Sequence, residues 1–153
     1  TTRICPQTSS TMMLRITHTG NAFTVEEIFK TEEAGCKMHP AVLYQDHLYL
    51  NNTGNPKMMV CMNLDGELMW EKEEAPGFGL GGLLLIGECI VNQNGKNGDL
   101  HLIKPSPEGY NELAKASFFS SEKSQAWAPL AFYKGKLLLR DVEKMVCIDL
   151  ENP

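Results

Sequence analysis

The stretch HPAVLYQDHLYLNN, residues 39–52, and the stretch APLAFYKGKLLLRD, residues 128–141, have the same layout: a small residue or Pro, an apolar run, a polar turn, and a second apolar run. The runs are short and rich in Val, Leu, Tyr and Phe, which is how half-buried strands joined by a turn are written. A third copy, GLLLIGECIVNQ, occupies residues 82–93. The three copies open at Pro40, Gly82 and Pro129, so they recur after 42 and then 47 residues.

Each pair of runs is followed by a third apolar run: MMVCMNL at 58–64, DLHLIKP at 99–105 and KMVCIDL at 144–150. TMMLRIT at 11–17 fits this third slot, with Met12 lying 46 residues before Met58. Fourth runs are FTVEEIFK at 23–30, GELMWEKE at 66–73 and YNELAKASFF at 110–119, the last being the one segment that also reads as a helix. Asp65-Gly66 between two apolar runs predicts a tight hairpin, and Asn94-Gly95 and Asn97-Gly98 supply further turns. Helical periodicity is weak elsewhere. Four short antiparallel strands at a period in the forties describe a β-propeller blade, which must lean on neighbours to bury both faces. The expected fold is all-β, a partial β-propeller of four-stranded blades with about three blades' worth of strands. Its expected pieces are the last two strands of a blade (1–33), two blades (38–76 and 78–121) and the first three strands of a closing blade (126–153). Slot by slot this predicts thirteen strands, the C-terminal part of a larger, for instance eight-bladed, ring whose missing outer strand comes from upstream.

Composition sets outer bounds. The chain has 153 residues, 42% hydrophobic and 22% charged, with a net charge of −5. That suits one globular domain and argues against a nucleic-acid surface, which needs a basic face. The longest apolar run, residues 83–86, is far short of a membrane span. The first residue is Thr and no signal peptide is visible, so the expectation is a mature fragment or an excised segment, whose lack of targeting signals says nothing about the parent. Five cysteines, Cys5, Cys36, Cys61, Cys89 and Cys147, form no CxxC pair, and Cys61 and Cys147, in matching apolar runs, are expected to be small buried side chains.

The phrase CMNLDGELMW, residues 61–70, after HPAVLY, resembles the repeats of the pyrroloquinoline-quinone-type propellers. That family includes quinoprotein alcohol dehydrogenases and the lipoprotein of the outer-membrane barrel-assembly machinery. Cys61 takes its small-residue slot, Asn63 its Asp slot, Gly66 its Gly slot and Trp70 its Trp slot, while Cys147 and Asp149 repeat the first two. The middle repeat has lost the motif. The resemblance implies a bacterial, extracytoplasmic parent of the periplasm or cell envelope, partnered by its own remaining blades and by envelope proteins. It implies either a non-catalytic binding or assembly scaffold, with no cofactor in this segment, or part of a dehydrogenase that uses pyrroloquinoline quinone (PQQ) and Ca²⁺.

No catalytic or metal-binding constellation is legible. GFGLGG at 77–82 matches GxGxxG but lacks the strand before and helix after that a dinucleotide loop needs, so it reads as small residues where inner strands crowd. Cys36 with His39 is a single weak ligand pair. The axial-channel candidates are His39 and Trp127, each near the start of an inner strand, and Asp141, with inter-blade packing as the plainer role for Trp127 and a turn as the plainer role for Asp141. Asn51-Asn52-Thr53 is a formal glycosylation sequon, expected in a polar hairpin loop.

Overall fold

The computed structural model describes residues 10–70, 75–119 and 125–151, and every regular element in them is a β-strand. Sheet I is the hairpin of β1 (Thr11–Thr19) and β2 (Ala22–Thr31). Sheet II contains β3 (Val42–Tyr44), β4 (His47–Asn51) and β5 (Met59–Asn63). Sheet III contains β6 (Leu83–Ile86), β7 (Cys89–Gln93), β8 (Leu100–Ile103) and β9 (Glu112–Ala116). Sheet IV contains β10 (Ala131–Tyr133), β11 (Lys136–Arg140) and β12 (Met145–Asp149). All pairings are antiparallel and all join strands consecutive in the chain.

Local chemistry sets the turns. Gln45-Asp46 and Lys134-Gly135 close the β3–β4 and β10–β11 hairpins with positive φ at both positions, the turn hand that matches strand twist. Gly66 adopts φ 89° in the expected Asp65-Gly66 turn, where Asn63 Oδ1 accepts the N–H groups of Asp65 and Glu67. A second device recurs after the second strand of each of the last three sheets. Asn52, Asn94 and Asp141 each accept, on a side-chain oxygen, the N–H two residues on: Gly54, Lys96 and Glu143. Each also donates its own N–H across the connection, to the carbonyls of Met58, Asp99 and Lys144. These three positions keep the spacing read from the sequence.

One strand of the expected thirteen is missing among the described residues. Residues 66–70 make a single bridge, Met62 to Leu68, with Met69 N–H donating to the Cys61 carbonyl. Past that rung Trp70 turns inward, and residues 71–74 lie outside the described part, as does Cys5. The ambiguous segment 110–119 forms a strand, β9, because β8 offers it a ladder from Leu100–Ala116 to Ile103–Glu112.

Alternation along the strands gives each sheet two faces, here called leading and trailing. In sheet III the leading face carries Leu83, Leu85, Ile90 and Ile103, which share a core with Tyr49, Met59 and Cys61 from the trailing face of sheet II. Its trailing face carries Leu84, Ile86, Val91, Leu100 and Leu102, packed on Leu137, Leu139, Val146 and Ile148 from the leading face of sheet IV. Phe29 of sheet I packs on the core of sheet II and lies over Gly66. Each buried Ile or Leu in these seams contributes about 1.5–3 kcal/mol relative to exposure. Sheets II, III and IV therefore stack face to face in chain order, while sheet I reaches sheet II through Phe29. The two outermost faces are bare: Leu14, Ile16, Phe23 and Val25 are exposed on sheet I, whose other face also exposes Arg15 and Glu26, and Tyr133 and Met145 are exposed on sheet IV.

Candidate functional site

Because strands one and two of each sheet run antiparallel, the start of the first and the end of the second lie at the same end of the stack. There the chain segments around His39, Gly81 and Ala128 enter their sheets. The glycines of GFGLGG let them crowd: a Cβ on Gly81 would lie 1.7 Å from the Gln93 carbonyl oxygen, and one on Gly77 would lie 2.4 Å from that of Lys57. A Cβ on Gly82 would sit 3.5 Å from the His39 ring and 3.4 Å from the Ala128 carbonyl. Three successive sheets thus converge at one point.

Two polar residues missed by the sequence reading hold the first of these junctions. Asn51 Nδ2 donates to Asn92 Oδ1 at 2.9 Å, and Asn92 Nδ2 donates to Asn51 Oδ1 at 2.8 Å. Asn51 also donates to the Gly81 carbonyl at 2.8 Å. Both side chains are buried, so the reciprocal pair satisfies groups that would otherwise be costly to desolvate. The Asn51 sequon is accordingly no polar loop: Asn51 ends β4, and its amide nitrogen is fully engaged. The signal in the sequence was an Asn or Gln inside an apolar strand, as in LYLN and IVNQ.

The three expected axial residues are spent on structure. His39 is buried, with its ring Nε2 3.2 Å from the Leu80 carbonyl oxygen. Trp127 Nε1 donates to the Gly95 carbonyl at 2.9 Å, tying the segment before sheet IV to the loop after β7. Asp141 Oδ1 accepts the N–H groups of Glu143 and Lys144, both at 2.8 Å, and those bonds, Lys144 foremost, hold its carboxyl below the ordinary range. His39 meets the entry to sheet III, but no hydrogen bond or ring contact joins His39, Trp127 and Asp141 to one another among the described residues.

A second polar cluster fastens β9. His101 Nδ1 lies 2.6 Å from Glu112 Oε2, and the Tyr110 hydroxyl donates to the same oxygen at 2.7 Å. The hydrogen bond from His101, with that from Tyr110, outweighs partial burial and lowers the Glu112 carboxyl below its ordinary range. The other ring nitrogen of His101 is buried, and the ring meets Phe78 edge-on with centroids 4.8 Å apart. Nearby, burial raises Asp99, but bonds from Lys115, Ser117 and Asn97 overcome it and leave the carboxyl low. Cys61 is fully buried beside Tyr49, and burial pushes its thiol up to about 11, which makes it a packing residue.

An apolar cleft of about 290 Å³ opens between sheets III and IV, lined by Val91, Leu100, Leu102, Ala114, Phe118 and Ile148 among others. It lies beside β12, the outermost strand of sheet IV. In sheet III the place next to the third strand is taken by β9, and in sheet II Leu68 stands opposite Met62. The cleft is therefore the gap left where sheet IV carries no fourth strand among the described residues.

Among the described residues no three His, Cys, Asp or Glu side chains gather to hold a metal ion, and no helix is long and apolar enough to cross a membrane. A quinone–Ca²⁺ centre needs free oxygen ligands and an indole face. Here Asn51 Oδ1, Asn92 Oδ1 and Asp141 Oδ1 each accept a hydrogen bond within the protein. Compared with known protein families and with curated protein sequences, the chain finds no match.

Proposed function

We propose that this chain is a segment of a quinoprotein-like β-propeller that serves as a non-catalytic binding or assembly scaffold in the bacterial cell envelope. The carrying observation is the repeated junction. Three sheets in succession enter at one end, carry the same turn device after their second strands, converge near His39, Gly82 and Ala128, and pack trailing face on leading face. Sheets that share one point and lean on one another arrange radially. The remaining blades of the parent would cover the two bare faces and place a fourth strand beside β12. Side chains at the converging end are committed to holding the sheets together, which leaves recognition of partners to the exposed loops.

The parent protein offers the test. Incubated with pyrroloquinoline quinone and Ca²⁺, it is expected to bind neither stoichiometrically and to reduce no dye with alcohols or sugars. Electron-microscopy averages are expected to show a ring of radial sheets, and fractionation is expected to place it in the envelope. Ca²⁺-dependent quinone binding with dye reduction would replace the scaffold by a dehydrogenase, and averages of an open rod would remove the propeller.

A further inference from the structure

We infer that Tyr110 is a one-electron oxidation site, to which Trp70 relays the electron vacancy and where Glu112 takes the phenolic proton. The groups involved run in a series out of the core between sheets II and III. Deepest are the Cys61 thiol and the Tyr49 hydroxyl, which are hydrogen-bonded to each other. The Tyr49 ring centre lies 6.0 Å from that of Trp70, and Trp70 lies 6.2 Å from Tyr110 in an edge-to-face contact. The Tyr110 hydroxyl donates to Glu112 Oε2 at 2.7 Å, and His101 Nδ1 lies 2.6 Å from the same oxygen. Cys61 and Trp70 are buried whereas Tyr110 is half-buried, so the series ends near solvent.

The two ends differ in what they can do with a proton. Removing one electron from a phenol makes its O–H strongly acidic, so the electron leaves readily where a base waits for the proton. Tyr110 has that base in place, joined to it by a charge-assisted bond. The bonds from His101 and Tyr110 also favour the ionised form of Glu112. The Tyr49 hydroxyl instead faces a thiol that burial keeps protonated, and the Tyr44 hydroxyl accepts from the Gln45 amide. Among the described residues no tyrosine hydroxyl other than that of Tyr110 bonds to a carboxylate. Trp70 suits a relay, because its Nε1–H donates to the Ser106 carbonyl at 3.0 Å and a backbone carbonyl cannot carry the proton away. The step balances. A one-electron oxidant of the carbonate- or peroxyl-radical class takes one electron from the Trp70 indole and becomes its anion. The indole radical cation regains an electron from Tyr110, whose O–H proton moves to Glu112 Oε2. Trp70 is restored, Tyr110 becomes a neutral tyrosyl radical and Glu112 a carboxylic acid. An oxidation is thereby drawn outward, away from the sulfurs of Cys61, Met59 and Met62 in the same core.

The chain holds two tryptophans, so Trp127→Phe leaves Trp70 as the sole indole. Flash photolysis with light absorbed by indole alone, and hexaamminecobalt(III) as electron acceptor, then creates the vacancy at Trp70. The tryptophanyl absorption is expected to decay as the tyrosyl absorption rises, at a rate independent of protein concentration. In the same background Tyr110→Phe is expected to abolish that rise and Tyr49→Phe to leave it. Glu112→Gln keeps a hydrogen-bond acceptor but removes the base, and is expected to slow the rise about tenfold. Circular dichroism checks that each variant folds. Independently of any variant, illuminating the unaltered chain with a nitroso spin trap present is expected to place an adduct on Tyr110, as peptide mass mapping would show. A vacancy that stays on Trp70, a tyrosyl rise that survives Tyr110→Phe, a rate unmoved by Glu112→Gln, or trapping that leaves Tyr110 unmodified would overturn the inference. None of these outcomes bears on the proposed function, since the relay needs neither a ring of blades nor a place in the envelope.

Discussion

Asn92 and Leu139 occupy corresponding places in their sheets, and the difference between them decides how two neighbouring amides fare. Asn51 faces Asn92 and is satisfied. Gln93, the counterpart of Asn51 one sheet later, is fully buried with neither end of its amide bonded to the protein among the described residues. Leu139 offers it no polar group. Gln93→Met should therefore raise stability, by about 1 kcal/mol, because it removes a buried polar group that has no protein partner. Asn92→Leu should do the reverse and lose about 2 kcal/mol, since Asn51 would keep its bond to Gly81 but leave its oxygen without a donor. Urea unfolding of the two variants beside the parent sequence checks both signs. Neither role was readable in advance, because one sequence does not say which buried amides meet across a seam. His39, Trp127 and Asp141 show a related limit: their polar atoms bond mostly to backbone, which a sequence does not display.

Among the elements, the glycine-bearing connections separate close approach from mere turning. Gly81→Ala would force a methyl group onto the Gln93 carbonyl and should cost about 3 kcal/mol. Gly87→Ala meets nothing within 4 Å, and its cost should be only that of a side chain at φ 59°, about 1 kcal/mol. Thermal or urea melts of the pair would reveal the contrast; equal losses would mean that the segments entering the sheets are not crowded. Strand positions were legible because alternation and turn residues agree, as in Gln45-Asp46 and Asp65-Gly66. Of the stretch 66–73, residues 66–70 were overread for the same reason, since their ladder has only one bridge at Leu68, and residues 71–73 lie outside the described part. The 110–119 ambiguity was settled by a partner, β8, and not by any property of the segment itself.

For the whole molecule, stacking of neighbouring sheets was implied by a repeat that cannot bury itself, whereas which face meets which and the chemistry between them were not. Acid should loosen the hold of β9 on sheet III. Glu112 and Asp99 are both held below the ordinary carboxylate range, so their stabilising contribution is present above that range and is lost as pH falls through the lowered values. The urea midpoint should therefore drop as pH falls from about 5 to about 2, and Glu112→Gln should flatten that drop. A midpoint independent of pH across this interval would contradict the assignment. The paired amides of Asn51 and Asn92 also have a consequence for how such a gene can change. Excising the length of one sheet, so that the second abuts the fourth, would leave Asn51 looking at Leu139 with its hydrogen bonds unmet. The units are alike enough to duplicate, yet they are not freely shuffled: a polar key at one boundary records which neighbour was meant to come next.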